Sequence, residues 1–199
     1  MEHAKRPALL LATDIFGHTP QVQAFARQLG GTARIVSPYG DERPHFASEM
    51  EGYAAFTARG GVAAYAKHIG TTLAARQTVF GLALGFSAGA SALWLCLADA
   101  GLEPWLPTQT ELYYGSRIRD HAHLEPRRQV RLIFAEQEVS FDPSALARLL
   151  CARGLNAEVL PGSAHGFMNP LSLGYDHSLA GREAQRIKAL LAASRTVAG

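Results

Sequence analysis

Ser87 lies at the centre of Gly85-Phe86-Ser87-Ala88-Gly89, a Gly-x-Ser-x-Gly pentapeptide preceded by an apolar run, Val79 to Leu84, and followed by an apolar helical run. That context places the serine on a sharp strand-to-helix turn, where small neighbours permit an unusual backbone and lift the hydroxyl into the open. A serine hydroxyl is a poor nucleophile at neutral pH. It needs a base to take its proton, and the base needs a carboxylate to hold its tautomer.

Both partners have candidates downstream, in the order serine, acid, histidine. His165, in Gly162-Ser163-Ala164-His165-Gly166, follows the end of an expected strand and is flanked by small residues. Of the other histidines, His3, His68, His121, His123 and His177 read as surface side chains, whereas His18 and His45 fall in loops near the expected sheet edge, within reach of a substrate. For the acid, Glu138 lies just beyond a strand end and is favoured over Asp142, which precedes Pro143 and is suited to capping the next helix; Glu136 ranks third. Acyl transfer also needs two N–H donors for a developing oxyanion. The residue after the nucleophile, Ala88, supplies one, and the loop Asp14-Ile15-Phe16-Gly17 after the first strand supplies the other.

These groups must be positioned by a scaffold, and the hydrophobic pattern describes one. Pro7 to Ala12 is a continuous apolar run, as expected of a strand buried on both faces. Thr19-Pro20 opens a helix with Val22, Phe25, Ala26 and Leu29 on one face, and Gly30-Gly31 closes it. Further strands are expected at Thr32 to Ser37, Thr78 to Gly85, Glu111 to Tyr114, Val130 to Ala135 and Ala157 to Leu160. Helices are expected from Gly61 to Ala75, from Ala88 to Leu97, from Asp142 to Gly154 with Leu146, Leu149 and Leu150 inward, and from Ser178 to Ala193. Alternation of this kind defines an α/β protein with a doubly wound, mostly parallel six-stranded sheet flanked by helices. Its ligands sit at the carboxyl ends of the strands. Pro38 to Arg59 is less regular, with a short helix around Glu49 to Thr57; it is the segment available for a flap and is too short for a large cap domain.

Composition limits the alternatives. In 199 residues, 48% are hydrophobic and 18% charged, with a formal net charge of +2, as expected for one folded domain without a concentrated basic stretch for nucleic acid. No apolar span reaches transmembrane length, and the segment Ala8 to Ala12 is too short for the core of a signal peptide, so a cytoplasmic protein is expected. Cys96 and Cys151 fall on apolar helix faces and read as small core residues. Neither a metal nor an organic cofactor is expected, because no ligand cluster has metal spacing and the loop after the first strand lacks the glycines that would admit a dinucleotide.

Four pieces together, Asp14-Ile15-Phe16-Gly17, Gly85-Phe86-Ser87-Ala88-Gly89, Tyr113-Tyr114-Gly115 and His165-Gly166-Phe167, resemble the dienelactone hydrolase family of α/β-hydrolases. The resemblance implies a single α/β-hydrolase domain over residues 1–199, with the backbone N–H of Ile15 as the second oxyanion donor and Asp14, Phe16, His18 and Tyr114 as candidate substrate contacts. It also implies hydrolysis of a small ester or lactone through an acyl-enzyme on Ser87. The chain differs from the founding members, which carry cysteine in place of Ser87, aspartate in place of Glu138 and glutamate in place of Asp14. The same groups could act on a thioester or an amide, or the fold could bind a ligand without turnover. Residue types leave the oligomeric state open.

Overall fold

Central parallel strands are buried on both faces, which is why Leu9–Ala12 and Leu82–Phe86 read as unbroken apolar runs. The strands of the computed structural model, which describes residues 9–30, 32–75 and 80–196, are β1 Leu9–Ala12, β2 Ala33–Val36, β3 Leu82–Phe86, β4 Gln109–Tyr113, β5 Gln129–Gln137 and β6 Asn156–Ala164. They form one sheet in the order β2-β1-β3-β4-β5-β6, and every pairing is parallel. The chain leaves β1 toward β2 and returns to its other side as β3. The carboxyl ends of β1 and β3, in register at Ala12 and Gly85, therefore meet where the strand order reverses.

The helices are α1 Pro20–Gln28, α2 Glu49–Ala58, α3 Gly61–Ala74, α4 Ala88–Ala98, α5 Pro143–Ala152 and α6 His177–Thr196. Successive strand residues point to opposite faces, which divides the core into two layers. Leu9, Leu11, Leu82 and Leu84 pack with Leu29 and Ile187 on the α1 and α6 side. Leu10, Ala83, Leu132 and Phe134 pack with Ile69, Trp94 and Leu150 on the side of α3, α4 and α5. Local chemistry sets the helix starts: Thr19 and Asp142 each accept a backbone N–H three residues on, from Val22 and Ala145, and a proline occupies the first turn of each helix.

Several boundaries differ from expectation. The start of the strand expected at Thr78, with Val79, and Pro7 and Ala8 of the first strand lie outside the described residues. β6 runs through Pro161 and Gly162 to Ala164, past the stop those residues suggest, because among the described residues it pairs only with β5 and an edge strand tolerates a residue without an N–H. A register irregularity between Ala135 and Gln137 extends that pairing to Gln137 and Ala164, so the loops bearing Glu138 and His165 leave the sheet side by side.

On α5 the buried stripe is Leu146, Ala147 and Leu150. Leu149 is exposed rather than inward, and Cys151 is exposed rather than in the core. At about 100° per residue, both lie roughly a quarter turn to either side of the centre of that narrow stripe. Cys96 is buried as expected.

Candidate active site

The pentapeptide forms the expected turn. Ser87 has φ 50° and ψ −108°, a conformation that a side chain rarely adopts, and its N–H is tied to the Tyr113 carbonyl at 2.9 Å. Both glycines are required by close approach. A Cβ on Gly85 would stand 2.7 Å from the Cα of Ala90, and one on Gly89 would collide with the carbonyl oxygens of Ala12 and Thr13. The first turn of α4 is thus pressed against the end of β1.

Three side chains from three strand ends meet there. The Ser87 hydroxyl lies 2.8 Å from Nε2 of His165, and Nδ1 of His165 lies 2.7 Å from Oε1 of Glu138. A carboxylate has no proton to give, so the partners assign the proton to Nδ1 and leave Nε2 as acceptor of the serine O–H. The Glu138 side chain is 5% exposed and that of His165 35%, so the chain of contacts runs from a buried carboxylate to an open serine. The other candidate acids are engaged elsewhere: Asp142 accepts the Ala145 N–H at 3.0 Å, and Glu136 accepts the Gly162 N–H at 2.9 Å.

Tyr114 braces the histidine. Its φ is 41°, and its ring meets the His165 ring edge-on at 5.2 Å, with Phe167 packed behind at 5.2 Å. Burial pushes the Tyr114 hydroxyl well above its ordinary pKa. The loop after His165 is folded tightly on itself, since a Cβ on Gly166 would strike Ser172 and one on Gly174 would strike the His165 carbonyl.

The loop after β1 is pinned from both ends. Asp14 accepts the N–H of Phe16 at 2.9 Å and the amide of Asn169 at 2.6 Å. Burial raises the Asp14 pKa, against the lowering effect of those two hydrogen bonds and of His165. The Tyr39 hydroxyl lies 2.7 Å from the Ile15 carbonyl and 3.2 Å from that of Gly52, and burial pushes its pKa up to about 12. Among the described residues no oxygen accepts the N–H of Ile15 or of Ala88.

Ser87, Ala88, His165, Ile15, Phe16, Asp14 and Tyr114 line one cavity of about 610 Å³. His18 does not; its electrostatic neighbours are Arg43 and Asp41 on the loop beyond β2, and burial with Arg43 lowers its pKa. The expected short helix is α2, which puts Met50, Tyr53 and Phe56 into the cavity wall. His121, expected at the surface, lines the cavity with Arg117 and Asp120, because a short 3-10 helix, Ser116–His121, packs against α4. A second cavity of about 290 Å³, between α1 and α6, shares the Asp14 and Tyr114 walls but contains neither Ser87 nor His165. The roles of Asn169, Glu49 and Ser172 carry no local motif; each arrives by a loop or helix whose path the residue types leave open.

No family model matches the chain. In sequence it is similar to the uncharacterized protein YczH of Bacillus subtilis (strain 168), 28% identical over 187 residues that cover 87% of each chain. In structure it is similar to a protein of Klebsiella pneumoniae subsp. pneumoniae assigned as a dienelactone hydrolase, with a TM-score of 0.67 at 17% identity over 94% of this chain and 86% of that one. An esterase from Rhizomucor miehei gives a TM-score of 0.56 at 14% identity, over 100% of this chain and 78% of its own. The chain has the α/β-hydrolase fold, in a form like that of the dienelactone hydrolase structure.

Proposed function

We propose that the protein is a single-domain serine hydrolase that cleaves a small carboxylic ester or lactone. The observation that carries this reading is the continuous chain Ser87, His165, Glu138, with contacts of 2.8 Å and 2.7 Å, on a turn that opens into a cavity. Likeness to a dienelactone hydrolase and to an esterase supports the same class.

In this reading Ser87 Oγ attacks the substrate carbonyl as its proton passes to Nε2 of His165, and Glu138 stabilises the imidazolium through Nδ1–H. The oxyanion is held by the N–H groups of Ala88 and Ile15, which have no other acceptor among the described residues. Collapse breaks the ester bond, His165 protonates the leaving alkoxide, and the acyl group stays on Ser87. Water then attacks with His165 again as base, releasing the acid and restoring the serine.

Intact-mass measurement after incubation with a fluorophosphonate tests this directly. One phosphonyl adduct is expected on the wild type, none on Ser87→Ala, and slower labelling on Glu138→Gln. A folded wild type that stays unlabelled would remove the hydrolase reading and leave a hydrolase-fold binding protein in its place.

A further inference from the structure

The charges around Ser87 are spoken for within the protein. The residues lining the cavity include one guanidinium, Arg117, against three carboxyl groups, Asp14, Glu49 and Asp120. Arg117 donates to the Tyr53 hydroxyl at 2.7 Å and to Asp120 at 3.3 Å. Glu49 accepts from the Ser172 hydroxyl at 2.6 Å and the Leu173 N–H at 3.1 Å, and Asp14 is held by Phe16 and Asn169. A substrate carboxylate would find the Arg117 guanidinium already paired and three carboxyl groups in the same wall. A substrate cation would find no carboxylate without a donor of its own.

Ile15, Phe16, Met50, Phe56 and Val62 make up an apolar part of the wall. The apolar character continues outward. Among the described residues, all the exposed large hydrophobic side chains except Leu149 lie on the segments that border the site: Met50 and Tyr53 on α2, Val139 beside Glu138, and Leu171, Leu173 and Tyr175 beyond His165. Met50 is 81% exposed and Leu173 97%. The contacts of Glu49 with Ser172 and Leu173 tie the loop beyond His165 to α2, the helix that carries Met50 and Tyr53 in the cavity wall. Apolar surface concentrated at one place marks a binding site.

We infer that the substrate is an uncharged ester whose apolar chain lies along α2, from the Ser87 cavity out over Met50. This rests on the hydrolase reading and names its substrate class. A fully buried methylene is worth up to about fourfold in binding, so a chain that gains only partial cover should still show a clear length dependence.

The test compares kcat/KM for p-nitrophenyl acetate, butyrate and octanoate and for ethyl, butyl and octyl acetate, all below their micellar range, with p-nitrophenyl hemisuccinate and acetylcholine as charged competitors. A rise of about tenfold or more along at least one neutral series is expected, with both charged esters below their neutral counterparts. In Met50→Glu, on an exposed helix position, the long-to-short ratio should fall about threefold or more, which a merely structural role for Met50 would not produce. Flat or falling rates along both series, an unchanged ratio in Met50→Glu, or preference for either charged ester overturns the inference. These outcomes all require turnover and fluorophosphonate labelling of Ser87. A folded protein with neither loses the hydrolase reading, and the substrate class with it.

Discussion

Two buried glutamates in this molecule are held in opposite ways. The Glu138 side chain, 5% exposed, has one hydrogen-bond partner among the described residues, Nδ1 of His165, and the other ring nitrogen, Nε2, meets the Ser87 hydroxyl. Glu111, 1% exposed on β4, takes both prongs of the Arg186 guanidinium and the Tyr113 hydroxyl, and Arg131 stands 3.7 Å away. Glu183 of α6 joins the second group through Arg186, Tyr113 and Arg131, and Glu158 through Arg131. The first arrangement is a line, in which each atom has one task and the far end is open. The second is a mesh binding α6 to the sheet, in which each group is held several times over. In the proposed reaction the line passes a proton and contributes little to the fold; the mesh holds an element in place.

The contrast can be broken most sharply at the head of the line. Ser87→Ala should lower ester turnover by about 10⁴-fold or more while leaving the melting temperature nearly unchanged, since the hydroxyl's partner, His165, is part-exposed to water. Glu138→Gln should cost about 10⁴-fold in kcat, because the amide favours the wrong tautomer of His165, and burst kinetics would show the loss in acylation. In the mesh the outcome inverts. Arg186→Met leaves Glu111 and Glu183 buried without their main cation and should cost roughly 3 kcal/mol in urea unfolding, with kcat/KM of the folded fraction unchanged.

The smallest effect is a difference of sign with pH. Burial opposes ionisation of Glu183, but the hydrogen bonds and charge of Arg186, with Tyr113 and Arg131, prevail and hold its pKa below the ordinary value. Its contribution to stability is therefore complete above the unfolded carboxyl pKa and is lost as pH falls through the folded one. Asp14, at the site, is shifted the other way by burial, so the fold binds its proton more tightly and loses stability as pH rises from 3.8 through the folded value. Urea unfolding across the acid range should show Glu183→Gln approaching the wild type as pH falls. Asp14→Asn, which keeps an acceptor for the Phe16 N–H, should gain on the wild type as pH rises.

The same contrast explains what could be read from residue types. Ser87, Glu138 and His165 each sit in the first few residues after a strand, and strand ends are local features visible as an apolar run meeting small or turn-forming residues. The six strands and the helices between them were legible for that reason. The mesh was not, because Glu111, Arg131, Glu158, Glu183 and Arg186 lie in elements whose neighbours are set by strand order and helix docking. His121 and Leu149 show the same limit. Polarity suggested a surface position for the first and helical spacing an inward one for the second, and the packing of a 3-10 helix on α4 and the narrow stripe of α5 reversed both.

Short stretches of chain were enough to specify the alternation of strand and helix, the turn at Ser87 and the order of serine, acid and histidine, because each depends on a few consecutive residues and their backbone preferences. Only the packed fold settled which acid reaches His165, that α2 and Arg117 wall the cavity, and that His18 stands outside it. Those outcomes depend on the register of β5 against β6 and on loop paths, where contacts between residues far apart in the chain outweigh any local preference.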